Sequence, residues 1–79
     1  MSPTILRFKN WRFHFWSLEE SRMHIHVTSP DGEAKFWLEP VIALVEYRGF
    51  REQQLKEIQR IIEENRHEII RAWKSYFKG

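Results

Sequence analysis

Hydrophobic and polar residues alternate along much of the first fifty residues of the chain. Alternation with a period of two is typical of strands that bury one face. The pattern predicts strands over residues 4–9, 11–16, 23–28 and 33–39. The first two are close enough to form a hairpin, with Asn10 as the turn residue that tolerates a positive φ.

Turn residues separate the later strands. Residues 29–32 read Ser-Pro-Asp-Gly, which predicts a tight turn between the third and fourth strands. Pro40 has no N–H to give to a ladder, so the fourth strand ends there, bulges or lies at an edge. Residues 41–47 are apolar and β-branched, which favours a fifth strand, with a short helix as the alternative.

From Glu52 onward apolar residues recur at the spacing of a helix. One straight helix to Lys78 would run about 40 Å, longer than a domain of this size is wide. Asn65 and Glu68 have the spacing of a capping box, which predicts a break there. The chain is therefore expected to be a single α+β domain over residues 1–79. Its four- to five-stranded antiparallel sheet (1–50) is followed by one bent or two C-terminal helices (51–79) packed on one face.

Composition limits how such a domain is stabilised. A chain of 79 residues without cysteine has no disulfide and no thiolate zinc site. Six Phe, four Trp and two Tyr must supply much of the core, and a partner or a second copy could add buried area. With no apolar run long enough to span a bilayer and no visible signal peptide, we expect a cytoplasmic protein.

Two histidines, His24 and His26, lie two residues apart in the predicted third strand. Their side chains share one face of that strand, while Ile25 and Val27 share the other. If the second and third strands pair, His14 joins them, and three imidazoles on one face are a geometry that zinc can use. The alternative is a set of polar residues on a sheet that has one face exposed to solvent.

Acid–base chemistry is a second possibility for this face. Across the 29–32 turn, Glu33 and Lys35 can lie beside His24 and His26. A histidine beside a carboxylate and a cation is sufficient for metal-free RNA cleavage, with no cofactor. Cross-strand pairs of these residue types are also common in sheets that have no catalytic function.

Two groups of residues are candidates for binding. Trp16, Trp37 and Arg12 are predicted on the histidine face, where they could stack single-stranded bases or contact a protein partner. Further along, a basic stripe recurs at helical spacing: His67, Arg71, Lys74 and Lys78. It fits RNA or an acidic protein, or simply a solvated helix face. Gly32 and Gly49 are isolated, so no phosphate-binding glycine loop is present.

Several segments together resemble a small bacterial family known as domain of unknown function 4160. They are Met-Ser-Pro-Thr-Ile at 1–5, Trp-Arg-Phe at 11–13, His-Ile-His-Val at 24–27, Gly-Glu-Ala-Lys-Phe-Trp-Leu-Glu-Pro at 32–40, Gly-Phe at 49–50 and Glu-Asn-Arg at 64–66. The resemblance implies a genomic context: members are often encoded beside another small protein, in an arrangement like a toxin–antitoxin pair. The chain departs from the family pattern at Arg22-Met23 (usually Pro-Pro), at Arg51 (usually a capping Ser) and at His14 (usually an aromatic), and the last change weakens a three-histidine metal site as a shared feature.

These observations favour an interaction module that is one member of a toxin–antitoxin-like two-protein system, with a small cognate protein encoded nearby. Metal-independent ribonuclease activity is the more specific hypothesis. The alternatives are a non-enzymatic module that binds protein or RNA, and a histidine-based metal-binding domain. No membrane contact is expected, and a homodimer is compatible with the sequence.

Overall fold

The computed structural model describes residues 4–15 and 22–77. Within these ranges the chain forms five strands and then two helices. The strands are β1 (Thr4–Phe8), β2 (Trp11–His14), β3 (His24–Ser29), β4 (Gly32–Trp37) and β5 (Ala43–Arg48), and the helices are α1 (Glu52–Glu64) and α2 (Arg66–Tyr76). The strands pair in chain order, each antiparallel to the next. The predicted α+β fold, with a fifth strand and two helices, is confirmed.

One face of the sheet is apolar and holds the core. Phe13, Ile25 and Phe36 lie on adjacent strands, and their side chains have no exposed surface. Both helices contribute to the same buried cluster, α1 through residues such as Ile58 and Ile62. Near the end of the sheet, the ring of Phe15 meets that of Trp73 on α2, with centroids 5.2 Å apart. The helices therefore cover the apolar face, as the alternation predicts.

The turn between β1 and β2 differs from the prediction. Phe8 pairs with Trp11, so the loop has two residues, and the positive φ (57°) belongs to Lys9 rather than Asn10. A two-residue hairpin loop needs a positive φ at its first position to match the twist of the strands. The geometry of the loop therefore decides which residue has the positive φ, and the tolerance of Asn10 for that conformation does not.

The helix break lies at Asn65, as predicted, but the predicted capping box is wrong. The Asn65 side chain makes no cap hydrogen bond to α2, and its Nδ2 instead donates to the carbonyl of Ile61 at 2.8 Å. Because the two helices are separated by this residue alone, Asn65 also ends α1, whose last carbonyls need donors. At the start of α1, the N–H of Arg51 donates to the Gln54 side chain.

Strand limits also differ from the prediction. β4 ends at Trp37, two residues earlier than predicted, and β5 begins at Ala43 rather than Val41. A cis peptide bond joins Glu39 to Pro40 in the connection between them. Lys35 pairs with Glu46 and Phe36 pairs with Leu44, so the intervening Val45 is an extra residue that forms a bulge in β5. No helix in the described ranges is long and apolar enough to cross a membrane.

Candidate functional site

The side of the sheet opposite the apolar core is polar, and we call it the polar face; at one end of it, Trp73 of α2 contacts His24. Strand register assembles it in rows that cross the sheet. One row runs His14, His26, Lys35, Glu46, and the next runs Arg12, Thr28, Glu33, Arg48. His24 pairs with Trp37 in a third row. Alternation along each strand therefore brings residues from four strands onto one surface.

An open depression of about 340 Å³ lies on this face, between β3, β4 and β5. It is lined by His26, Glu33, Ala34, Lys35, Glu46, Tyr47 and Arg48. The Arg48 guanidinium donates to the Glu33 carboxylate across the strand pair. Three of the four predicted catalytic residues (His26, Glu33 and Lys35) thus lie around one concave site.

The fourth predicted catalytic residue, His24, does not line this site. Its side chain is fully buried, and its Nδ1–H donates to the carbonyl of Arg22 at 2.7 Å. The ring also packs edge-on against His26 and Trp73, with both centroids 5.1 Å away. This arrangement holds His24 in one orientation and supports the neighbouring ring of His26, which is partly exposed.

His14 is the third imidazole of the polar face, and it is almost fully buried. Its ring stacks on that of His26, with centroids 5.8 Å apart, and its Nε2 shares a hydrogen bond with the Thr28 hydroxyl. Burial, followed by the nearby Arg12 guanidinium, lowers the pKa of His14 from 6.5 to about 4, against a smaller opposing effect of a backbone hydrogen bond at Phe15. His14 is therefore a neutral residue at physiological pH.

The three histidines meet ring against ring. Among residues 4–15 and 22–77, no group of three or more His, Cys, Asp or Glu side chains is placed to hold a metal ion. The zinc-site hypothesis required the imidazole nitrogens to converge on a common point. Stacked and edge-on rings do not provide that convergence.

Aromatic and cationic groups meet at Trp37. The Arg22 guanidinium lies 4.0 Å from its ring centroid, and Lys35 Nζ lies 4.9 Å away. Both contacts are within the range of cation–π interactions. Arg12, which is half-buried, donates to the Thr4 hydroxyl. The remaining aromatic candidate, Trp16, lies outside the described residues.

The basic stripe is a separate feature on α2. His67, Arg71 and Lys74 are exposed on this helix and are not among the residues that line the depression. Lys78 lies outside the described residues. The structure therefore does not join the two candidate binding regions into one site.

Sequence reasoning missed the contribution of β5. Glu46 and Arg48 line the depression because β5 pairs with β4 in a register that sets them beside Lys35 and Glu33. Their alternate spacing gives a signal that the two side chains share a face. The spacing does not reveal which strand β5 pairs with, or in which register.

Fold and site together define a small α+β protein whose meander sheet carries helices on one face and a polar, histidine-containing surface on the other. A family described as Domain of unknown function (DUF4160) matches residues 10–74, and the chain belongs to this family. All residues that line the depression fall within the matched segment. No curated protein and no solved structure gave a match.

Proposed function

We propose that this protein binds single-stranded RNA on its polar face and cleaves the RNA backbone without a metal ion. In this proposal it acts as one member of a bacterial toxin–antitoxin-like pair, with a small neighbouring protein as its partner. The observation that carries the proposal is the arrangement of His26, Glu33, Lys35 and Arg48 around one depression. A partly exposed histidine, a carboxylate and two cations are groups that RNA cleavage can use.

The chemistry requires a base and a stabilised phosphate. His26, in its neutral form, would take the proton from a ribose 2′-hydroxyl through Nδ1, because its Nε2 is buried. The 2′-oxygen then attacks the adjacent phosphorus, the bond to the 5′-oxygen breaks, and that oxygen takes a proton from water. The products are a 2′,3′-cyclic phosphate and a 5′-hydroxyl. Lys35 and Arg48 would stabilise the charge that develops on the phosphate, and Glu33 would hold Arg48 in place.

The charge of the polar face supports an anionic ligand. Its described residues include two carboxylates, Glu33 and Glu46. Against these stand five cationic side chains: Arg7, Arg12, Arg22, Lys35 and Arg48. Phosphate contacts from such residues release counterions and make binding dependent on salt.

A second candidate function is binding without catalysis. It is favoured by the existing contacts of the cations, since Arg48 already donates to Glu33 and Arg22 already lies over Trp37. Arginine and tryptophan are also frequent anchors of protein interfaces. In that case the polar face would bind RNA or the cognate protein, and His26 would only shape the surface.

The two candidates are separated by RNA cleavage in the presence of EDTA. We expect the wild-type protein to cut single-stranded RNA, and His26→Asn to lose about 100-fold or more of the rate, as expected for loss of a general base. Lys35→Gln should weaken both binding and cleavage. The matched control is Lys56→Gln, because Lys56 is an exposed lysine on α1 whose contact is an i,i+4 pair with Glu52.

The outcomes are distinct. Binding of RNA without cleavage by any variant would support the second candidate. The absence of RNA binding would contradict the first candidate and leave the second only as a surface for the cognate protein. The two-protein proposal is tested in cells by inducing the chain alone. The proposal is supported if the wild type arrests growth, if His26→Asn does not, and if co-expression of the neighbouring small protein restores growth. Growth that continues unchanged under induction contradicts it.

A further inference from the structure

We infer that two copies of this chain pair through β5, antiparallel and centred on Tyr47, so that their sheets form one continuous ten-stranded sheet. The inference rests on the exposed side chains, the bulge and the charges of this strand. It does not depend on the reaction proposed above.

β5 is an edge strand with an apolar surface that is only partly covered. Leu44 and Tyr47 lie opposite the core residues Phe36 and Ala34, yet they are 38% and 55% exposed. The N–H and C=O groups along the outer side of such an edge are a template for another strand. Exposed apolar side chains next to that template favour an interface rather than a solvated edge.

The bulge limits where a second strand can pair regularly. Val45 is the extra residue of β5, so the longest regular run of the ladder is residues 46–48. The centre of that segment is Tyr47. A two-fold axis at this position, perpendicular to the sheet, pairs the segment with the same segment of the second copy.

Charge selects the same register. With the axis at Tyr47, Glu46 lies opposite Arg48 of the second copy, and this pair occurs twice. An axis at Glu46 would set two carboxylates opposite each other, and an axis at Arg48 would set two guanidinium groups opposite each other. Like charges at directly opposed positions destabilise a strand pair. The occupant that complements this edge is therefore a second copy of the chain.

The pairing has a consequence for the depression on the polar face. Glu46, Tyr47 and Arg48 line that depression, and all three lie at the inferred interface. A perpendicular two-fold axis keeps both polar faces on the same side of the joined sheet. Each depression is then bordered by Arg48 of the other copy, and the two depressions lie side by side on one basic surface.

The test is a charge exchange followed by sedimentation equilibrium over a range of protein concentrations. The wild type should show a monomer–dimer equilibrium. Glu46→Arg alone and Arg48→Glu alone should each weaken the dimer at least about tenfold, because both opposed pairs become like-charged. Mixing the two single variants should restore a dimer, because the two arginines of one variant then lie opposite the two glutamates of the other. The double variant should also form dimers.

Controls separate this result from misfolding. Each single variant must keep the far-ultraviolet circular dichroism of the wild type, and Lys56→Glu on α1 should leave the dimer unchanged. A wild type that stays monomeric at millimolar concentration would overturn the inference. So would a mixture of the two single variants that dimerises no better than either alone.

Discussion

Lowering the pH from about 7.5 to 5 should destabilise the wild-type protein more than a His14→Phe variant, because the folded state holds His14 in its neutral form. The side chain is 1% exposed and stacks on His26. Burial and the charge of Arg12 lower the pKa of His14 to about 4, whereas the unfolded chain has the ordinary value of 6.5. Between these two values the unfolded state binds more protons, so stability must fall as the pH falls.

The magnitude follows from the size of the shift. One pKa unit corresponds to about 1.4 kcal/mol, so the full change from 6.5 to about 4 is worth at most about 3 kcal/mol. At pH 5 the loss should reach about 2 kcal/mol. Above about pH 7.5 the residue is almost entirely neutral in both states and contributes little pH dependence. For a small domain with marginal stability, a loss of this size is a large fraction of the total.

Urea denaturation of both variants at a series of pH values measures the effect. Phenylalanine fills the aromatic position but loses the hydrogen bond to Thr28, which changes stability by an amount that is independent of pH while His14 is neutral. The diagnostic quantity is therefore how the difference in unfolding free energy varies with pH. Carboxylates and the other histidines are common to both chains and largely cancel. A difference that stays constant from pH 7.5 to 5 would refute the neutral, buried state of His14.

Three further outcomes are expected. Gly49→Ala should lower the unfolding free energy by about 1–3 kcal/mol, because the residue has a φ of 88° and an added Cβ would lie 2.4 Å from the carbonyl oxygen of Asp31; wild-type stability would contradict this. Asn65→Ala should cost about 1 kcal/mol through loss of the bond to Ile61, and an unchanged urea midpoint would count against that bond. In RNA binding, Lys35→Gln should reduce the slope of log affinity against log salt by about 0.7, whereas an unchanged slope would show that Lys35 contacts no phosphate.

Much of the fold is predictable because alternation and helical spacing are local properties of the sequence. The burial of Phe13, Ile25 and Phe36 on one face follows from their places in alternating strands. The break at Asn65 follows from the length that one straight helix would reach. Local patterns could also place His26, Glu33 and Lys35 on one surface, since a short turn joins their two strands.

Other features depend on contacts between distant parts of the chain. Trp73 on α2 contributes to the burial of His24, and no spacing within β3 predicts that contact. Glu46 and Arg48 reach the depression through the pairing of β5 with β4, whose register includes a bulge at Val45. The position of a bulge depends on how two strands fit, and the sequence of either strand alone does not reveal it.

The most direct test of the proposed function is a single-turnover cleavage assay in EDTA with two matched substrates. One is an all-ribose oligonucleotide, and the other has a 2′-deoxy sugar at the cleaved position. The proposal predicts a 2′,3′-cyclic phosphate from the first substrate, no product from the second, and loss of the reaction in folded His26→Asn. Equal cleavage of both substrates, or full activity of His26→Asn, would contradict a reaction in which His26 activates the 2′-hydroxyl.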